Sequence, residues 1–99
     1  MRVRQIPIED RGKGYTRQQM LEAPQGALFI WCNERLHYPR DLAQHLGRDD
    51  LRIVSPDILG RGRYRLYGLR LSAIILDHAA APNAEEQATL DEARARCVR

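Results

Sequence analysis

Arg11-Gly12-Lys13-Gly14-Tyr15-Thr16 sets two glycines, a lysine and a threonine between a short apolar run and a stretch of helix-forming residues. Backbone N–H groups of a glycine-bearing loop, together with the N-terminus of the helix that follows, can surround a phosphate. The strongest loops of this type add a lysine against the terminal phosphates and, beside it, a serine or threonine hydroxyl on magnesium. Thr16 stands where that hydroxyl belongs, but the position before it is Tyr15, which carries no cation, and Lys13 lies two positions early. Glu9 occupies the place of the first loop glycine and adds repulsion toward a phosphate. The same residues also fit an ordinary strand-to-helix turn in which Gly12 and Gly14 serve only the bend.

Leu71-Ser72-Ala73-Ile74-Ile75-Leu76 is an apolar strand pattern that closes in Asp77 and His78. An acid in that position can hold magnesium, and the histidine can orient a water or a phosphate. The plain alternative is an acid that ends a strand and faces solvent. Cys32 ends another apolar strand and, as a nucleophile, would need a base close by. His37 and His45 stand at no metal-ligand spacing from a cysteine or carboxylate cluster, and neither a zinc pattern nor Gly-x-Ser-x-Gly occurs.

The order of strand, Gly-x-Gly-x-Thr, helix and a later apolar strand closing in Asp-His resembles a small, degenerate member of the P-loop NTPase-like families, of the kind encoded by tailed bacteriophages. The likeness spans most of the chain in layout and is specific at Gly12, Gly14, Thr16 and Asp77. It implies phosphate contact by Gly12, Lys13, Gly14 and Thr16, magnesium at Thr16 and Asp77, and ATP or GTP as the ligand. Glu9 and Tyr15 depart from the family pattern. With the cation missing, the resemblance implies a scaffold that has lost catalysis and binds a host or phage protein instead.

Gly60-Arg61-Gly62-Arg63-Tyr64-Arg65-Leu66-Tyr67-Gly68 is the densest basic and aromatic cluster. Arg61, Arg63 and Arg65 can meet phosphates while Tyr64 and Tyr67 stack on exposed bases. The same five side chains suit an acidic protein partner, because arginine and tyrosine are favoured interface anchors. A solvated connection between two strands is the third option. Three functions are therefore expected in this order: a non-catalytic protein-binding module, a nucleotide-binding or weak NTPase domain, and a nucleic-acid-binding accessory protein.

The elements that must position these groups follow from local pattern. The chain of 99 residues has room for one domain spanning 1–99, and 43% apolar with 29% charged residues fits a folded chain rather than a disordered one. A core of this size is small and leaves room for a homodimer. The formal charge of +3, with every basic residue but Lys13 an arginine, is compatible with nucleic acid without requiring it. Cys32 and Cys97 read as reduced thiols of a cytoplasmic protein. No secretory apolar segment opens the chain, and the run Ala73-Ile74-Ile75-Leu76 is too short for a membrane span.

Residues 2–8 read as a strand with Pro7 marking an edge, and residues 15–23 as a helix whose apolar face is Met20 and Leu21. Residues 27–32 are apolar without alternation, which suits a strand covered on both sides and makes Phe29 and Trp31 core residues. Pro39 is placed to open the next helix, with Leu42, Ala43 and Leu46 buried and Gly47 as its stop. Residues 51–55 are a third strand, 56–59 a short helical turn, 60–68 a loop, and 71–76 a fourth strand. Asn83 and Glu86 form a capping-box pattern ahead of a last helix with Leu90, Ala93 and Cys97 on one face. Strands alternating with helices predict an α/β fold: a small, mostly parallel sheet of about four strands flanked by helices, a reduced P-loop-like arrangement. Ligands of such sheets sit beyond the carboxyl ends of the strands.

Overall fold

Ala27, Leu28, Phe29 and Ile30 have no exposed surface, and the rest of the molecule is arranged to cover them. The computed structural model describes residues 2–3 and 14–97. Glu9, Gly12, Lys13 and the greater part of the first expected strand lie outside the described residues. In chain order the described elements are β1 (Arg2–Val3), α1 (Tyr15–Glu22), β2 (Leu28–Ile30), α2 (His37–His45) and β3 (Arg52–Val54). Two 3-10 helices follow, Pro56–Leu59 and Arg63–Gly68, then β4 (Ile74–Leu76), β5 (Ala80–Ala81) and α3 (Ala84–Ala95).

The main sheet is parallel in the order β3-β2-β4. Phe29 pairs with Ile53 on one side and Ile75 on the other, so these three side chains form a row across one face. Met20 from α1, Ala23 just after it and Ala43 from α2 pack on that face. Leu28, Ile30 and Ile74 point the opposite way, as the two-residue period of a strand requires. They meet Ile58, Leu59 and Leu66 from the 3-10 helices and Leu90 from α3. The unalternating apolar run of β2 thus has the physical cause inferred from sequence: helical layers lie on both faces.

Local caps set the ends. Gly47 takes φ +71°, its N–H donates to Gln44 O at 3.0 Å, and Arg48 N–H donates to Ala43 O at 2.7 Å. This crossed pair satisfies carbonyls that the end of α2 would otherwise leave open. At α3 the Asn83 side chain accepts from Glu86 N–H at 2.8 Å and Glu86 Oε1 accepts from Asn83 N–H at 2.9 Å.

Several expectations need correcting. The parallel sheet contains three described strands, not four. The described part of the first strand, β1, instead pairs antiparallel with β5, which forms between the expected fourth strand and the last helix. Leu21 is half exposed while Met20 is fully buried, because successive helix residues are turned by about 100° and α1 has only a narrow contact with the sheet. The second helix begins at His37, two residues before Pro39; a proline in the first turn removes an N–H that has no partner there. Residues 63–68 are helical rather than a loop, since Leu66 must reach the core. Among the described residues no helix is long and apolar enough to cross a membrane.

Candidate functional site

The carboxyl edge of the parallel sheet gathers the groups that sequence placed 61 positions apart. Asp77 follows β4 directly, and its N–H continues the ladder by donating to Ile30 O at 3.0 Å. Its side chain is buried, with 1% residual exposure for the residue. The reading of a solvent-facing acid is therefore wrong. Thr16 Oγ1–H donates to Asp77 Oδ1 at 2.9 Å, and Ala79 N–H donates to Oδ2 at 3.2 Å. His78 Nδ1 lies 3.3 Å from the Thr16 hydroxyl and 3.4 Å from Asp77 Oδ1. With a proton on Nδ1 the ring can donate into this pair.

Helix α1 is fastened to the same strand end by a residue that no motif singled out. Gln19 Nε2–H donates to Leu76 O at 3.0 Å, while Gln19 Oε1 accepts from His78 N–H at 2.9 Å. The amide therefore imitates a neighbouring strand. Its one sequence signal is its position three residues after Thr16, on the same helix face. Gly14 precedes the helix at φ +74°, a left-handed conformation that favours glycine. Tyr15 sets its ring edge-on to His78, with centroids 5.3 Å apart.

Both Asp77 oxygens accept a hydrogen bond, and Thr16 donates its only hydroxyl proton. The spacing of Thr16 Oγ1 and Asp77 Oδ1 does match neighbouring ligands of an octahedral magnesium, about 2.9 Å for bonds of about 2.1 Å. While donating its proton the Thr16 hydroxyl keeps its oxygen lone pairs, so the hydrogen bond to Asp77 and ligation of a cation are compatible in this geometry. Among the described residues there is no group of three or more His, Cys, Asp or Glu side chains placed to hold a metal.

Cys32 follows the neighbouring strand β2 and lies in the field of Asp77. Burial first, and the Asp77 charge second, push its thiol up to about 11. A neutral buried thiol is a poor nucleophile. Alkylation of Cys32 by iodoacetamide is expected to stay slow at pH 8 and to accelerate as pH approaches 11; peptide mapping of the modified sites checks this. His37 and His45 are exposed, and His37 pairs with Asp41 at 3.2 Å one helical turn away.

A crevice of about 790 Å³ opens on the same edge, between the residues after β2 and those after β3. Cys32, Asn33, Pro56, Asp57, Arg61 and Glu86 line it. The other arginine and tyrosine candidates lie on the second 3-10 helix. Leu66 roots that helix in the core, while Arg63 and Tyr64 point outward, Tyr64 with 72% of its surface exposed. Arg65 reaches Asp57 at 3.4 Å, and the Arg96 guanidinium sits 4.9 Å from the Tyr67 ring centre. Gly62 lies beneath the Arg65–Asp57 pair; a Cβ there would come within 2.6 Å of Arg65 Nη2 and 2.9 Å of Asp57 Oδ2. The structure thus joins Tyr15, Thr16, Asp77 and His78, and keeps Arg63, Tyr64, Arg65 and Tyr67 as a separate surface. Comparison with known proteins finds no matching family model, no matching curated protein and no matching solved structure, so the site is read from its own geometry.

Proposed function

We propose that this chain is a non-catalytic binding module that engages an acidic surface of a protein partner, host or phage in origin, through Arg61, Arg63, Tyr64, Arg65 and Tyr67. One observation carries the reading: a turn rooted by buried Leu66 presents Arg63 and Tyr64 to solvent without side-chain partners among the described residues. A tyrosine ring loses little entropy on binding, and tyrosine and arginine recur as interface anchors. Tyr15, standing where a phosphate loop needs a cation, supports the non-catalytic half of the proposal.

Affinity capture from the natural host, with the Arg63→Glu/Tyr64→Ala double variant alongside, tests it. The partner is expected with the parent protein and lost with the variant, whose circular dichroism stays unchanged. Equal capture by both overturns the role of the turn. A nucleotide-binding reading, with magnesium and ATP or GTP at Gly12, Lys13, Gly14, Thr16 and Asp77, is favoured by the magnesium-compatible spacing of Thr16 and Asp77. Titration calorimetry at millimolar nucleotide and magnesium separates the two; the proposal expects no heat of binding. Tight, steeply salt-dependent binding of a single-stranded oligonucleotide would instead favour nucleic acid.

A further inference from the structure

Beside the arginine and tyrosine turn lies a second depression, of about 250 Å³, between the second 3-10 helix and the C-terminal end of α3. Its floor is apolar: Leu66, Leu71 and Ile74 are buried core residues, and Ala93 and Cys97 close the side toward α3. Its rim is cationic. Arg70 is exposed and makes no side-chain hydrogen bond or ion pair among the described residues. Arg96 is held at the rim by its stacking on Tyr67 and by Glu92, 2.8 Å away. The volume falls below the roughly 300 Å³ at which pockets for drug-sized ligands begin, and suits a single side chain.

We infer that this pocket receives one apolar side chain from an acidic segment of the partner protein, with Arg70 and Arg96 meeting the carboxylates beside it. The inference rests on the protein-binding reading above and makes it more specific. Water on an apolar floor finds few partners, so exchanging it for a leucine or phenylalanine side chain is favourable. The guanidinium fork matches a carboxylate in two-point geometry and repels a basic segment. Glu92 already holds Arg96, so Arg70 is the cation with most to gain.

The probe is a fluorescein-labelled acidic peptide with one leucine between aspartates, read by anisotropy. An alanine counterpart and a lysine-flanked counterpart accompany it. The leucine peptide is expected to bind roughly tenfold or more tighter than the alanine peptide, the value of one buried aliphatic side chain. Arg70→Glu is expected to weaken the acidic peptide about tenfold and to strengthen the lysine-flanked one, a reversal that misfolding does not produce. Cys97→Phe fills the pocket and removes the preference for leucine over alanine. Equal affinity for the leucine and alanine peptides, indifference to Arg70→Glu, or no binding at millimolar peptide overturns the inference. A dimer of the free protein that Arg70→Glu dissolves also overturns it, by making a second copy the occupant. Capture of the partner that needs Arg63 and Tyr64 but survives both Arg70→Glu and Cys97→Phe sinks the pocket and leaves the turn's role standing.

Discussion

An Arg48→Met protein is expected to unfold about 10–20 °C below the parent. Arg48 is the buckle between the end of α1 and the turn that leads into β3. Its Nη1 donates to Met20 O at 2.6 Å and its Nη2 to Ala23 O at 2.9 Å, carbonyls that the end of α1 leaves open. Its Nε and Nη2 also take both oxygens of Asp50, at 2.9 Å and 3.0 Å. Methionine keeps the length of the side chain and removes every donor. Losing charge-assisted hydrogen bonds to half-buried carbonyls costs about 2–3 kcal/mol, and each kcal/mol moves the melting temperature of a domain this size by about 4–8 °C. Arg48→Lys is expected to recover only part of the loss, because a single ammonium cannot serve carbonyls and carboxylate in a fixed fork. A melting temperature within about 3 °C of the parent would show that Arg48 has no such role.

The same buckle carries a pH signature. The Arg48 guanidinium, helped by Gly26 N–H, holds the Asp50 carboxyl well below the usual carboxylate range. A carboxyl depressed in the folded state adds stability that is fully present above its unfolded value, near pH 4, and is lost as pH falls from there toward the folded value. Thermal melts from pH 6 downward should show the parent losing stability below about pH 4. Arg48→Met should lose less over that window, because only Gly26 then favours the ionised form.

Asp77→Ala and Asp77→Asn are expected to behave very differently. Alanine leaves the buried Ala79 N–H without its acceptor and the Thr16 hydroxyl with His78 Nδ1 as its remaining partner, at about 1–3 kcal/mol. Asparagine rescues the network. Its oxygen accepts from Ala79 N–H, its amide donates to the Thr16 oxygen, and the threonine proton turns toward His78 Nδ1. Asp77→Asn is therefore expected to lie within about 1 kcal/mol of the parent in urea denaturation. An essential magnesium ligand reverses the lesson, since an amide replaces a charged ligand poorly and turnover of ATP or GTP would vanish in a stably folded variant. Hydrolysis by the parent that disappears in Asp77→Asn would overturn the non-catalytic reading.

Residues close together in the chain wrote much of the fold openly. Asn83 and Glu86 announced the start of α3, Gly47 the end of α2, and the apolar run from Ala27 to Ile30 a strand covered on both sides. Each of these signals is complete within a few residues, because caps and periodicity are local physics. Asp77 at the end of an apolar strand and Thr16 at the start of a helix were also visible as candidates. Their contact and the burial of the acid were not, because two short segments acquire a common dry environment only when the sheet and α1 pack together.

Amino-acid order by itself determined the three α-helices, the apolar strands β2, β3 and β4, and a β2 covered on both faces. Tertiary structure alone decided that Arg48 ties α1 to the turn before β3, that Gln19 grips the end of β4, and that β1 leaves the parallel sheet to pair with β5. It also decided that Asp77 is buried against Thr16 and that a pocket with Leu66, Leu71 and Ile74 in its lining opens beside Arg70. The physical reason is range: a hydrogen bond or a burial event between residues tens of positions apart depends on where both backbones have been carried, and no local preference of either residue encodes that.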